Sequence, residues 1–322
     1  NGSLAKVLRH HGLAGEIVAS ARRPETLDRA LALGLCDRIT TDPAEAVRGA
    51  DLVVLGTPPA AMGAVAAALA PALDPAAIVT DVGSVKAQII RDVCPHLPDR
   101  SRFVAGHPVA GTEHSGPEAA FASLFEGRRC ILTPIEDTDP EALARVKALW
   151  EKAGSTVDLM TPEHHDKILA ITSHLPHLIA YTIVGTVADL EEQEQSEVFK
   201  YAAGGFTDFT RIAGSDPTMW RDVFLNNREA VLEMLGRFTE DLVALQRAIR
   251  WGEGDERAIM LDTDVMTVLD VTAFGGALDS IVPGVAALTG TGNWLISPGV
   301  LEHRGYASVD RAEHGFELTV KS

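Results

Sequence analysis

The period of the hydrophobic positions changes twice along the chain. Up to about residue 160, short runs rich in Val, Ile and Leu alternate with Ala- and Leu-rich stretches of helical period, the pattern of successive βαβ units feeding a parallel sheet. Strands are predicted at Glu16–Ser20, Asp51–Gly56, Ala77–Val82, Arg102–Ala105, Arg129–Thr133 and Thr156–Met160. Proline and glycine punctuate the helices between them: Pro24 opens one that Gly34 closes, and Pro140 opens another that runs toward Gly154. From Pro162 the strand signal gives way to helical segments, predicted at Pro162 to about Leu190, Gln195–Ala203 and Asp216 to about Trp251. In the last of these Val231, Met234, Leu235, Phe238, Leu242 and Leu245 recur at helical spacing, a stripe suited to a core or a dimer interface. Beyond Glu256 no long period persists. The expected fold is an α/β Rossmann-type nucleotide-binding domain over 1–160, an all-α domain over 161–256 and an unassigned tail over 257–322, in which Met266–Val271 has strand character.

Composition narrows the function classes. Of the 322 residues 46% are hydrophobic and 23% charged, the balance of a folded globular protein, and the length suits two domains. A formal net charge of -17 argues against a nucleic-acid partner, whose affinity would rest on clustered Lys and Arg. An anionic small substrate must then meet a local basic pocket. The three cysteines, Cys36, Cys94 and Cys130, are too few and too scattered for a disulfide framework or a thiolate metal site, which fits a reducing cytoplasm. The apolar stretch Ala60–Ala77 is interrupted by Pro71, Asp74 and Pro75, so no membrane span and no signal peptide are expected.

The chain opens Asn1-Gly2-Ser3-Leu4 and reads as a helix over residues 2–11 that starts at a glycine. In dinucleotide-binding domains the first strand ends in G-x-G-x-x-G, whose last glycine lets the helix pack closely and whose helix N-terminus holds the pyrophosphate. Gly2, Ser3 and Leu4 fit the end of that motif. The first strand itself is expected to be missing, leaving a central position of the sheet without its strand and weakening the hold on the cofactor. The ribose-reading position falls roughly 20 residues after the first glycine, near Ser20–Arg22, where no Asp or Glu occurs. Arg22 and Arg23 are there instead, either to neutralise the extra phosphate of NADP or as solvated loop charges. Thr57 and Pro58, in Leu55-Gly56-Thr57-Pro58-Pro59, end a predicted strand and would line the cofactor crevice.

Four further segments carry chemistry. Thr80-Asp81-Val82-Gly83-Ser84-Val85-Lys86 leads from a strand into a helix that Ser84 is placed to cap; Gly106-His107-Pro108-Val109-Ala110-Gly111-Thr112-Glu113 sets a histidine after a strand. Ser173-His174-Leu175-Pro176-His177 and Arg211-Ile212-Ala213-Gly214-Ser215-Asp216-Pro217-Thr218-Met219-Trp220 lie in the helical part. A neutral imidazole accepts a hydroxyl proton near pH 7, which suits His107. His174 and His177, three apart on one helical face, have no third ligand to make a metal site. His10, His11, His164 and His165 read as surface residues, and Glu191–Glu194 as a solvated run.

Taken in order from Gly2 to about Glu256, these segments resemble the prephenate and arogenate dehydrogenase family of tyrosine biosynthesis. The resemblance implies an oxidative decarboxylation of a cyclohexadienyl ring, in which hydride passes from C4 to NAD or NADP and the ring carboxylate leaves as carbon dioxide. It implies His107 as the base, with Ser84 bonding the imidazole and the substrate hydroxyl and so fixing the tautomer, and Arg211 on a carboxylate. His177 would touch the substrate's upper carboxylate or side chain, Trp220 would close the pocket, His174 would be structural, and Thr112 and Glu113 would sit at the pocket mouth. The expected partners are prephenate or arogenate and a second copy of the chain, paired through the helical domain. Rival readings are a 3-hydroxy acid dehydrogenase, an imine reductase, and a nucleotide-binding homologue without activity.

Overall fold

The computed structural model describes residues 1–111 and 116–252 together with the strands 307–312 and 315–320. It divides into two compact units, Asn1–Gly236 and Arg237–Ser322. Thr112, Glu113 and the Met266–Val271 segment lie outside the described residues.

The first unit opens with α1 (Gly2–His10), followed by β1 (Val18–Ser20), α2 (Pro24–Ala32), β2 (Arg38–Thr40), α3 (Pro43–Ala46), β3 (Leu52–Leu55), α4 (Pro59–Leu69), β4 (Ile78–Asp81), α5 (Ala87–Val93) and β5 (Phe103–Pro108). Then come β6 (Arg129–Thr133), α6 (Pro140–Lys152) and β7 (Thr156–Leu159). Five strands pair in the order β3-β4-β5-β6-β7, while β1 and β2 form a separate parallel pair. In a doubly wound sheet of order 3-2-1-4-5-6 the first strand joins the second to the fourth. Among the described residues no strand makes that junction, and the two sheets stay distinct.

The sheet departs from the expected all-parallel form at one place: β6 runs antiparallel to β5, pairing His107 with Ile131. Parallel neighbours need a crossover, usually a helix. The β5–β6 link contains only two short 3-10 turns among its described residues, Pro117–Ala119 and Ala122–Phe125. The chain therefore returns beside β5 in the opposite direction.

Alternation along the strands supplies two cores. Val79, Phe103 and Ala105 face one side, with Met62, Ala66 and Leu69 of α4 and Ile89 and Val93 of α5. Ile78 and Val104 face the other, with Leu4 and Val7 of α1 and Val146 and Trp150 of α6. Each Val, Leu, Ile, Phe or Met among them contributes roughly 1.5–3 kcal/mol by leaving water. The helix signals hold where they were read: Gly34 and Gly154 adopt positive φ, +67° and +89°, just past the ends of α2 and α6.

The helical part begins with α7 (Pro162–Leu169), a π-helical turn (Ala170–His174) and α8 (Leu175–Ala188). The sequence predicts one continuous helix here. Pro176 explains the widened turn, since it has no N–H to give and its ring crowds the carbonyl four residues back. Next are α9 (Glu192–Tyr201), α10 (Gly204–Thr210), which the sequence pattern misses, and α11 (Pro217–Asn226). The long helix expected over 216–251 is broken at Asn227, after which α12 (Arg228–Trp251) runs on. Trp220 and Val223 of α11 join the core beside α4, so in the first unit the helical part packs directly on the sheet domain. The second unit contains most of α12 and a hairpin of β8 (Ala307–Ala312) and β9 (Gly315–Val320).

Candidate active site

The amino end of α1 and the loop after β3 meet. A Cβ placed on Gly56 would strike the Asn1 side chain, and one placed on Gly2 would lie 2.8 Å from the Ala120 Cβ. Gly2 is thus where only a glycine lets the helix seat. Ala5 N donates to Asn1 O at 3.0 Å, the first bond of the helix, so the N–H groups of Gly2, Ser3 and Leu4 precede the helical ladder. The Ser3 hydroxyl accepts from Phe121 N at 3.2 Å, and the Leu4 side chain is core, so what these two offer a cofactor is main-chain N–H. Across from them the Thr57 hydroxyl oxygen is buried with no partner. Pro58 is exposed at the start of α4, and Arg22 and Arg23 are exposed after β1. An orphaned hydroxyl beside a helix N-terminus fits the phosphate and ribose groups of a dinucleotide.

His107 is the penultimate residue of β5 and is 8% exposed. The backbone before it is clamped from both sides: Gly106 N donates to Asp81 Oδ1 at 3.0 Å, and Lys86 Nζ donates to Gly106 O at 2.6 Å. Lys86 and Asp81 form an ion pair in which both side chains are fully buried. Burial pulls the Lys86 ammonium below its usual pKa, with Asp81 acting against that pull. Gly106 itself admits no side chain easily, since a Cβ would lie 3.1 Å from Asp81 O and 3.2 Å from Leu132 Cδ2.

The sequence reading of His165 as a surface residue is wrong. It is fully buried, and its Nε2 lies 2.8 Å from His107 Nδ1. Its own Nδ1 lies 2.8 Å from Asp166 Oδ1. Asp166 also accepts from Lys86 N at 2.8 Å and Ala87 N at 2.9 Å, so the carboxylate of α7, and not Ser84, caps α5. A helix spacing reveals why: His165 and Asp166 share a buried face of α7 with Leu169 and Ala170, four residues on. His10, His11 and His164 are exposed as read.

His174, on the π-helical turn, is also fully buried. Asn227 Nδ2 donates to its Nδ1 at 3.0 Å and to Asp166 O at 2.7 Å, which accounts for the break between α11 and α12. Burial lowers its pKa to about 4. His177 donates from Nδ1 to Ser173 O at 2.8 Å and stacks on Trp220, ring centroids 3.6 Å apart, while Trp220 meets His174 edge-on at 6.0 Å. Burial also lowers the pKa of His177, and lowers that of His107 well below its ordinary value, with the charges of His165, Lys86 and His174 adding to the effect. The Ser84 backbone carbonyl acts on His174. His107, Ser84, His174, His177 and Trp220 therefore form one neighbourhood at the carboxyl end of the sheet. Arg211 is exposed at the head of a 3-10 turn (Arg211–Gly214) packed on α8, and the Tyr181 hydroxyl fixes that segment by donating to Ser215 O at 2.8 Å.

A Rossmann-type domain offering free helix N–H groups, beside a buried neutral histidine under a helical domain, defines a nicotinamide-dinucleotide dehydrogenase. Comparison with known proteins makes the class specific. Residues 4–159 match the family described as prephenate dehydrogenase, nucleotide-binding domain, and residues 161–263 match prephenate dehydrogenase, dimerization domain. The chain belongs to the prephenate dehydrogenase family. It is 47% identical to a cyclohexadienyl dehydrogenase of Zymomonas mobilis over 71% of this chain and 78% of that protein. To a prephenate dehydrogenase of Bacillus subtilis it is 34% identical over 75% of this chain and 65% of that protein. Among solved structures, the Aquifex aeolicus prephenate dehydrogenase in complex with hydroxyphenyl propionate and NAD+ superposes with a TM-score of 0.76 at 39% identity, covering 84% of this chain and 94% of that one.

Proposed function

We propose that this chain oxidatively decarboxylates prephenate, or its amino counterpart arogenate, to 4-hydroxyphenylpyruvate or tyrosine with reduction of NAD+ or NADP+. The observation that carries this is the buried, neutral His107 at the mouth of β5, held at Gly106 by Asp81 and Lys86, in a chain of this family. A dinucleotide bound at α1 supplies the acceptor for the C4 hydride.

The protein's own groups do the rest. His107 takes the C4 hydroxyl proton as the carbon–hydrogen bond breaks, and returns it to the phenolic oxygen once the ring carboxylate has left as carbon dioxide. A base of lowered pKa suits a proton that must be given back. Ser84, in the turn between β4 and α5, orients the hydroxyl, and Arg211 holds a carboxylate of the substrate. The Trp220–His177 stack walls the pocket. Arg22 and Arg23, in place of a ribose-reading carboxylate, support use of NADP as well as NAD.

Two copies would pair through the helical part. Ile171 and Val184 of the stretch 162–188 are 45% and 42% exposed, and Phe199, Tyr201 and Leu225 are open too. The same stretch is long and apolar enough to pass for a membrane span by length and composition alone. Its match to a dimerization domain supports a partner copy, and not a membrane, as the cover for these exposed apolar positions. Sedimentation at micromolar concentration tests this, a monomer being the contrary result. Steady-state turnover of prephenate and arogenate with each cofactor tests the activity; binding of a dinucleotide with no turnover of either substrate would refute it.

A further inference from the structure

Behind His107 lie a second histidine and a carboxylate, His165 and Asp166, that take no direct part in the reaction. We propose that the buried pair Asp166–His165 positions His107 by fixing its tautomer, so that Nε2 presents a lone pair to the substrate hydroxyl. This rests on the dehydrogenase reading above.

Asp166 takes backbone N–H bonds from Lys86 and Ala87, and a carboxylate offers only acceptors. The nitrogen of His165 facing it at 2.8 Å, Nδ1, must therefore hold that ring's proton. A neutral imidazole has one N–H, so His165 Nε2 is an acceptor. It faces His107 Nδ1 at 2.8 Å, and a bond of that length needs the proton on His107. The remaining nitrogen of His107, Nε2, is left with its lone pair outward.

The proton balance closes. The substrate O–H bond breaks as an N–H bond forms on His107 Nε2, and the imidazolium's Nδ1–H stays bonded to His165 Nε2. When the proton returns to the phenolic oxygen, both rings recover their starting tautomers. The charged and titratable groups around the pair are Lys86, Asp81 and His174, with Asn227 anchoring the Asp166 carbonyl. A core histidine that merely filled space would not need its two nitrogens matched in this way.

Long-range proton–nitrogen NMR spectra of the nitrogen-15-labelled chain near neutral pH read the tautomers directly. The proposal expects the His107 and His165 protons on Nδ1 in both rings. In His165→Met, which removes the acceptor but keeps the bulk, His107 should lose that preference. The variant's kcat for prephenate should fall about 10- to 100-fold with KM changed less than about twofold, and His165→Gln, which restores an acceptor, should recover part of the loss. A His107 proton found on Nε2 in the unaltered chain overturns the proposal, as does a folded His165→Met enzyme with kcat within about twofold of the parent. The tautomer measurement needs neither substrate nor a folded variant, so it stands or falls apart from the assignment of the reaction.

Discussion

Replacing Lys86 with methionine removes a fully buried ammonium and leaves the Asp81 carboxylate, equally buried, facing it without its countercharge. Asp81 would keep its bonds from Gly83 N and Gly106 N, but Gly106 O would lose the donor at 2.6 Å. Breaking a buried pair from one side costs about 3–5 kcal/mol. The lost carbonyl partner lies within that figure. With a urea m-value of about 3 kcal/mol per molar for a unit of this size, the unfolding midpoint should drop by about 1 M or more. Asp81→Asn should cost less, since the amide oxygen keeps one acceptor. The double variant Asp81→Asn/Lys86→Met should be less destabilised than the sum of the singles, by at least about 1.5 kcal/mol, because the uncompensated charge is then gone. Denaturant unfolding of the four proteins measures all of this. A Lys86→Met midpoint unchanged from the parent, or additive singles, would refute the view that this pair clamps the backbone in front of His107.

Other outcomes follow from the same geometry. Gly2→Val drives a branched side chain into Ala120 and should lower stability by about 1–3 kcal/mol in thermal unfolding while weakening dinucleotide binding in a fluorescence titration. Stability should be fully present above about pH 6.5 and be lost as pH falls toward about 4, because unfolded His174 binds its proton in that window while the folded residue does not; its share is on the order of 3 kcal/mol, and His174→Gln should flatten that limb of the profile. Arg211→Lys should raise KM for the substrate about tenfold with little change in kcat, since a single ammonium cannot make the paired bonds. Arg22→Ala should raise KM for NADP+ more than for NAD+ in initial-rate assays, equal effects arguing for a solvated arginine.

The strands of the sheet domain were legible because each pairs a run of apolar residues with a bounding glycine or proline. The exception, Arg38–Thr40, has one apolar residue in three and belongs to the outlying pair. The antiparallel β6 was not legible, for direction depends on the connection and not on the strand's own residues. The π-helical turn was foreshadowed by Pro176, which a reading of helical period alone passes over. In the site, His107, Ser84, His177 and Trp220 were picked out by their motifs, and the structure brings their segments together. His165 and Asp166 were missed because a His-His-Asp run near a helix start looks like a solvated face. Their alignment with Leu169 and Ala170 was the signal available, and it was masked by Ile168 and Ile171, which point outward at 38% and 45% exposure. Apolar residues exposed on the same helix invert the usual rule for which face is buried.

The central claim, that His107 serves as the base in an oxidative decarboxylation, is tested most directly by following reduced nicotinamide and released carbon dioxide together, in the parent and in His107→Asn. The account predicts prephenate- or arogenate-dependent formation of both products in equal amounts by the parent, and a loss of kcat of at least about 100-fold in the variant with substrate binding retained. Reduction of the cofactor without carbon dioxide release, or undiminished turnover by His107→Asn, would contradict it.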